Sequence, residues 1–187
     1  LILRDLDLLA ELASRRLCSV AISVPTLDDK LNRVMEPRVP SAASRLAAIE
    51  ALSAAGVPTS LLMAPIIPAI NDAEIEQVLQ AAGQAGAAHA AYIFLRLPFE
   101  VKTLFTEWLQ SHFPDRAEHV MSLVRQASGG RDYDNRFGVR QTGRGAYADM
   151  LGARFRAACK RFGIDAGRYQ QGLDCSQFDP PGQRQLG

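Results

Sequence analysis

Between residues 5 and 98, an amphipathic helical stretch three times leads into a short apolar segment stopped at or near a proline. This alternation constrains the fold more than any other feature. The apolar segments are CSVAISV at 18–24, halted by Pro25, PTSLLM at 58–63, which runs into the loop APIIPAIND, and HAAYIFL at 89–95, followed by Pro98. Short runs of this kind, rich in β-branched residues, suit strands buried on both faces. With a helix between each pair, the connections are right-handed crossovers and the strands are parallel, so their loops all open on one side. A repeat of about 35 residues fits either a (β/α) barrel or an open α/β sheet, and the pattern leaves both open.

The helices carry their own punctuation. Leu6, Leu8, Leu9, Leu12, Ala13 and Leu17 form one stripe of a helix over 5–17, with Arg4, Asp7, Glu11 and Arg15 opposite. Ser41 is placed to cap SAASRLAAIEALSAAG, and Gly56 stands where a left-handed residue ends it. Either Asn71 or Asp72 can cap a helix over 73–85, with Glu74 and Glu76 in its first turn and Gly86 at its close. Residues 25–40 read as a long loop with room for one helical turn at 28–35. Beyond Pro98 the rhythm breaks: two helices at 101–113 and 116–127 flank Pro114, and a glycine- and arginine-rich loop spans 129–145. A last amphipathic helix at 146–162 precedes a polar tail at 163–187, expected on the surface or partly disordered.

Composition narrows the class without naming partners. A chain of 187 residues, 48% hydrophobic and 22% charged, can bury one main core. Its net charge of +1 supplies no basic field of the kind that announces a nucleic-acid binder. The three cysteines, Cys18, Cys159 and Cys175, have neither disulfide-scaffold nor metal-ligand spacing, and a reducing cytoplasm is the expected setting. There is no apolar run of about 18 residues and no secretory leader pattern. The opening Leu-Ile-Leu, already at the threshold of a helix, leads us to expect further residues upstream.

Ligands of parallel α/β folds gather at the carboxyl ends of the strands. That rule selects Ser23, the loop bearing Glu36 and Arg38, residues 66–72, and Arg96. Each has a plainer reading. Ser23 can be a small packing residue, Arg38 can pair with Glu36 or Asp28, Asn71 and Asp72 can be helix caps, and Arg96 can form a structural salt bridge. Arg131, Arg136, Arg140 and Arg144 could bind phosphate or nucleic acid, while Tyr133 and Phe137 could stack on bases or pin the loop. His89, His112 and His119 show no metal-binding spacing, and no Ser-His-Asp, P-loop or GxGxxG pattern occurs.

The succession RDLDLLAELA, VAISVPTLD, MEPRVPSAASRLAAIEALSAAGVP, APIIPAIND and YIFLRLP resembles the later half of radical S-adenosylmethionine (SAM) enzymes. Within them it is similar to the branch related to spore photoproduct lyase, a match extended by LFTEWLQSHFPDRAEHVM and RFGVRQTGRGAYADML. The resemblance implies the C-terminal part of a (β/α)6 partial TIM barrel over 1–98, a helical extension over 99–162 and the polar tail over 163–187. It implies a [4Fe-4S] cluster held by a Cys-x3-Cys-x2-Cys loop, which this sequence lacks and which is expected upstream. SAM would be cleaved reductively there to a 5′-deoxyadenosyl radical, with an electron donor as partner and, by the branch, a nucleic acid as substrate. Carried over by position, Ser23 faces the amino-acid part of SAM and Arg38 its carboxylate. Ile66 through Asn71 line the adenosine, with Pro65 and Ala69 replacing the glycines of the common motif, and Leu95 and Arg96 meet the adenine. The alternatives are a non-enzymatic module that binds nucleic acid or an acidic partner through its arginine–glycine loop, and a barrel enzyme for a phosphorylated metabolite.

Overall fold

The computed structural model describes residues 2–130, 141–167 and 172–177. Four strands, β1 (Val20–Ser23), β2 (Thr59–Ile66), β3 (His89–Phe94) and β4 (Asp165–Ala166), form one sheet in the order β1-β2-β3-β4, and every neighbouring pair is parallel. This order resolves the alternative that the sequence leaves open. A doubly wound sheet reverses its strand order and carries helices on both faces, whereas strands added in one direction by right-handed crossovers keep their helices on one face. The chain is an α/β protein of the second kind, in keeping with part of a TIM-like barrel.

Pairing assigns the two faces. Val20, Ile22, Leu61, Met63, Ala90 and Phe94 point to the helical side, while Ala21, Ser23, Ser60, Leu62 and Ala91 point to the other. On the helical side, α3 (Ala42–Ala54), α4 (Ile75–Gln84) and α7 (Ala146–Arg161) complete a core in which Ile49, Val78, Leu79, Leu151 and Phe155 meet the strands. The face away from these helices borders a cavity of about 460 Å³ over Ala21, Ser60, Leu62 and Ala91, which Gly172 and Leu173 help to close. A second core lies at the carboxyl ends of the strands, where α5 (Val101–His112) and α6 (Ala117–Ala127) pack Leu109, Val120 and Val124 against Ile67 and Leu97.

Local chemistry explains most element boundaries. A 3-10 turn at Ile2–Asp5 leads into α1 (Leu6–Ser14), which packs on Val20, Leu52 and Val57. The Asp28 carboxylate accepts the Lys30 and Leu31 amides at 2.7 and 3.2 Å and starts α2 (Asp29–Met35). Ser41 caps α3 by accepting the Ser44 amide at 3.3 Å. Gly86, at φ +92°, ends α4 where a Cβ would fall 2.4 Å from Ser53 Oγ, so the position admits only glycine.

One expectation needs correction. Neither Asn71 nor Asp72 caps the following helix through its side chain, because both side chains are engaged elsewhere and residues Asp72–Glu74 form a 3-10 turn before α4. The polar tail adds β4, a pair of exposed residues joined to the β3 segment by backbone bonds from Asp165 to Ala88 and from Gly167 to Ala90. Two residues carry no periodicity, so nothing in their side chains marks them as a strand. Arg131, Arg136, Arg140, Tyr133 and Phe137, proposed above as a nucleic-acid surface, lie outside the described residues. Arg144 is described, and its amide bonds the Ala127 carbonyl at 2.8 Å.

Candidate functional site

Parallel strands leave their carboxyl ends to the loops, and here those loops border an open apolar cavity of about 350 Å³. Pro65 and Ile67 reach it from the end of β2, Leu95 from just beyond β3, and Met35 and Glu36 from the end of α2. The far wall is α5, where Val101, Leu104, Phe105 and Trp108 recur at helical spacing on one side. Phe105 and Trp108 stack at 5.5 Å with 22° between their planes. Trp108 Nε1 donates to the Val34 carbonyl at 3.2 Å, which ties this aromatic wall to α2. Such a slot, broad, flat and apolar, suits a planar heterocycle.

Buried hydrogen bonds hold the floor. Asn71 is fully buried: its Oδ1 accepts the Ile67 amide at 2.7 Å, and its Nδ2 donates to the carbonyls of Pro25 at 2.8 Å and Pro65 at 3.0 Å. One side chain thus joins the loop after β1 to the loop after β2. Glu74 repeats the connection, accepting Thr26 Oγ1 and the Leu27 amide, each at 2.7 Å. On the other side, the buried Arg45 of α3 donates to the Pro40 carbonyl at 3.0 Å, to the Ser23 carbonyl at 2.9 Å and to the Glu36 carboxylate. These bonds anchor the 25–40 loop, whose expected helical turn at 28–35 is α2.

A second network joins α7 to the start of α4. Tyr147 donates its hydroxyl to Asp72 at 2.6 Å, and Arg154 holds Glu76 with two nitrogens while also reaching the Ala73 carbonyl at 3.2 Å. The Arg154 guanidinium lowers the Glu76 pKa and has its own raised in return. Burial, then the bond to Asp72, raises that of Tyr147 and keeps it a donor.

The site residues expected from sequence fare differently. Leu95 lines the cavity, and its amide bonds the Ile66 carbonyl at 2.9 Å. Ile66 does not face the cavity with its side chain, which lies wholly within the helical-side core; the pairing register shifts between Met63 and Ile66 and brings Ile67 to the cavity instead. Ser23 ends β1 and donates to the Ala64 carbonyl at 3.2 Å. Asn71 fastens the loops beneath the rim. Arg38 is exposed on a turn, and its suggested partner Glu36 pairs with Arg45. Arg96 is half-buried and is not among the cavity's lining residues. Ala69 occupies a left-handed backbone position, φ +56°, which accounts for a glycine in the common form of the motif.

Several contributors escaped the sequence reading, though some left traces. Arg45 shares the buried stripe of α3 with Ala48, Ile49 and Leu52, and a charge inside an apolar stripe calls for buried partners. Phe105 and Trp108, three residues apart on an amphipathic helix, were readable as an aromatic face. Tyr147 left no trace, since its partner Asp72 is remote in sequence.

Residues 1–82 match the family described as the radical SAM superfamily. That segment is similar to radical SAM sequences. Over 128 residues the chain is 33% identical to an uncharacterised protein of Mycobacterium bovis and, to the same extent, to uncharacterised proteins of two Mycobacterium tuberculosis strains. The alignment covers 67% of this chain and 38% of each relative, so the chain spans well under half the length of the curated relatives it matches. No solved structure matches.

The two groups that radical SAM chemistry requires fit these residues unequally. The cavity's lining, apolar apart from Glu36 and carrying the Phe105–Trp108 pair, has the chemistry to receive a planar ring such as the adenine of SAM. The cluster does not fit: Cys18 donates to the Leu9 carbonyl, Cys159 is buried in the core and Cys175 is exposed on the tail. Among the described residues no three His, Cys, Asp or Glu side chains come together as metal ligands, and no helix is long and apolar enough to cross a membrane.

Proposed function

We propose that this chain forms the adenosine-side wall of the SAM pocket in a radical SAM enzyme whose cluster ligands lie outside it. The observation that carries the reading is the aromatic-walled apolar cavity at the carboxyl ends of parallel strands, in a chain whose first 82 residues match that superfamily. Leu95, the Phe105–Trp108 wall, Pro65 and Ile67 would hold the adenine. Ile66 contributes through its backbone, and Asn71 sets the loop. By the family resemblance, Ser23 would serve the amino-acid end of SAM, Arg38 its carboxylate and Arg96 the adenine. When bound in the complete enzyme, SAM supplies reductive carbon–sulfur cleavage fed by an external electron donor; this chain's own part is to orient the cofactor and exclude water.

The branch related to spore photoproduct lyase is the finer assignment, resting on the EPR-x-P-S, APIIP-x-IND and LRLP elements. It carries with it a lyase-like reaction on nucleic acid, a cytoplasmic setting and the division into barrel half, helical extension and tail. Chain and longer parent divide the labour, so the isolated chain is inactive.

Trp108 is the only tryptophan in the sequence and forms part of the cavity wall, which makes the test direct. S-adenosylhomocysteine titrated into the chain should change Trp108 fluorescence saturably, and Ile67→Glu should abolish the response. A flat titration up to about 1 mM, an affinity weaker than about 4 kcal/mol, would overturn the assignment. Anaerobic reconstitution should leave the chain without a stoichiometric [4Fe-4S] cluster; uptake of one would show that its ligands lie within these residues.

A further inference from the structure

We infer that Tyr147, far from the strand ends in sequence, is a positioning residue for the SAM-side cavity, so that α7 and the turn before it belong to the site. The inference rests on the cavity assignment above. Two bonds made by this C-terminal region reach both strand ends that floor the cavity. Tyr147 donates to Asp72 at 2.6 Å, and Asp72 directly follows Asn71, whose three bonds hold Pro25, Pro65 and Ile67. The Gln141 carbonyl accepts the Phe94 amide at 2.7 Å, one residue before Leu95. The Tyr147 ring also meets Phe94 edge-on at 6.3 Å, so one side chain touches the end of β3 and the loop after β2.

Pro65, Ile67 and Leu95 all line the cavity; Leu95 is next to Phe94, and Pro65 and Ile67 are bonded by Asn71, the neighbour of Asp72. Their backbone positions therefore depend on how firmly α7 holds the rim. Asp72 carries a formal charge, yet the bond needs only an acceptor oxygen facing the phenol. A neutral amide placed there with its oxygen toward Tyr147 would still receive it. Arg154 holds Glu76 one turn further along α4 and keeps α7 in place when the phenolic bond is removed. Loss of the Tyr147 hydroxyl should thus loosen the loop without detaching the helix.

The test compares Tyr147→Phe, Asp72→Asn and Asp72→Ala with the unaltered 187-residue chain. Two measurements are made: S-adenosylhomocysteine affinity from Trp108 fluorescence, and hydrogen exchange over residues 65–72. Tyr147→Phe and Asp72→Ala should each weaken binding about three- to tenfold, the effect of one hydrogen bond near 1 kcal/mol. A double variant, Tyr147→Phe with Asp72→Ala, should be no weaker than either single one, and Asp72→Asn should stay close to the unaltered chain. Exchange at the Ile67 amide should quicken in Tyr147→Phe while the melting midpoint moves only slightly. Equal affinity in Tyr147→Phe, or Asp72→Asn as weak as Asp72→Ala, would overturn the positioning role. If the unaltered chain itself binds no S-adenosylhomocysteine, the cavity assignment fails. Exchange then decides the brace, since an unchanged Ile67 amide in Tyr147→Phe would refute it.

Discussion

Replacing Asn71 with alanine should be among the costliest single changes in the chain. Its side chain makes three hydrogen bonds of 2.7, 2.8 and 3.0 Å and is fully buried. Each bond contributes about 1 kcal/mol net, but truncation also leaves the Ile67 amide and two carbonyls without a partner in a place water does not readily reach. Together these effects amount to about 3–5 kcal/mol, against a total stability of roughly 5–15 kcal/mol for a typical domain. Urea unfolding followed by Trp108 fluorescence and by far-ultraviolet circular dichroism measures it. The midpoint should fall with the slope unchanged. A loss below about 1 kcal/mol would refute the idea that this side chain, rather than the packing around it, joins the two loops. Asn71→Asp sharpens the test because its shape is the same. Its carboxylate would face two carbonyl oxygens, so folding should keep it protonated and raise its pKa above the unfolded value. The penalty should therefore be small in acid and grow as pH rises through about 4, the unfolded carboxyl range.

Acid should act on the α7–α4 contact in the opposite sense. The Glu76 pKa is lowered by its bond to Arg154, so the stability it contributes is present above the ordinary value of 4.5 and is lost as pH falls through the folded value. Glu76→Gln should accordingly be less stable than the unaltered chain at pH 7 and nearly equal to it in strong acid, by thermal melts across pH. Thiol labelling should rank the cysteines by burial. Exposed Cys175 should react at once, whereas Cys159, buried and with its pKa pushed up to about 11, should react only when the chain unfolds. Ala69→Gly should raise stability by about 0.5–1 kcal/mol, because an L side chain at φ +56° is strained and glycine is not, although glycine's freer unfolded chain offsets part of the gain. Ala69→Val should lower it, and chemical denaturation checks both.

Legibility in the sequence followed the range of the interaction. The helices and strands of the first hundred residues could be placed to within a few positions, since apolar periodicity, prolines and the cap residues Ser41 and Gly56 all act locally. The parallel sheet followed from the alternation. Candidate site positions came from the strand-end rule and from the family resemblance, and of these Glu36, Ile67 and Leu95 line the cavity at the strand ends. They did not give side-chain direction: Ile66 turns into the core and Ile67 into the cavity because the register shifts between Met63 and Ile66. That shift depends on pairing with β3 and cannot be seen within β2 alone.

The sequence by itself determined that this chain is an α/β protein with parallel strands. The reason is that short-range pattern sets element type, and handed connections then set strand direction. Tertiary structure alone decided that the strands add in one direction, that Asn71 is a fastener and not a cap, and that Arg45, Trp108 and Tyr147 belong to the cavity's surroundings. Each of those outcomes depends on partners tens of residues away, such as Tyr147 with Asp72 and Trp108 with Val34, which become neighbours only when the sheet and its helices have packed.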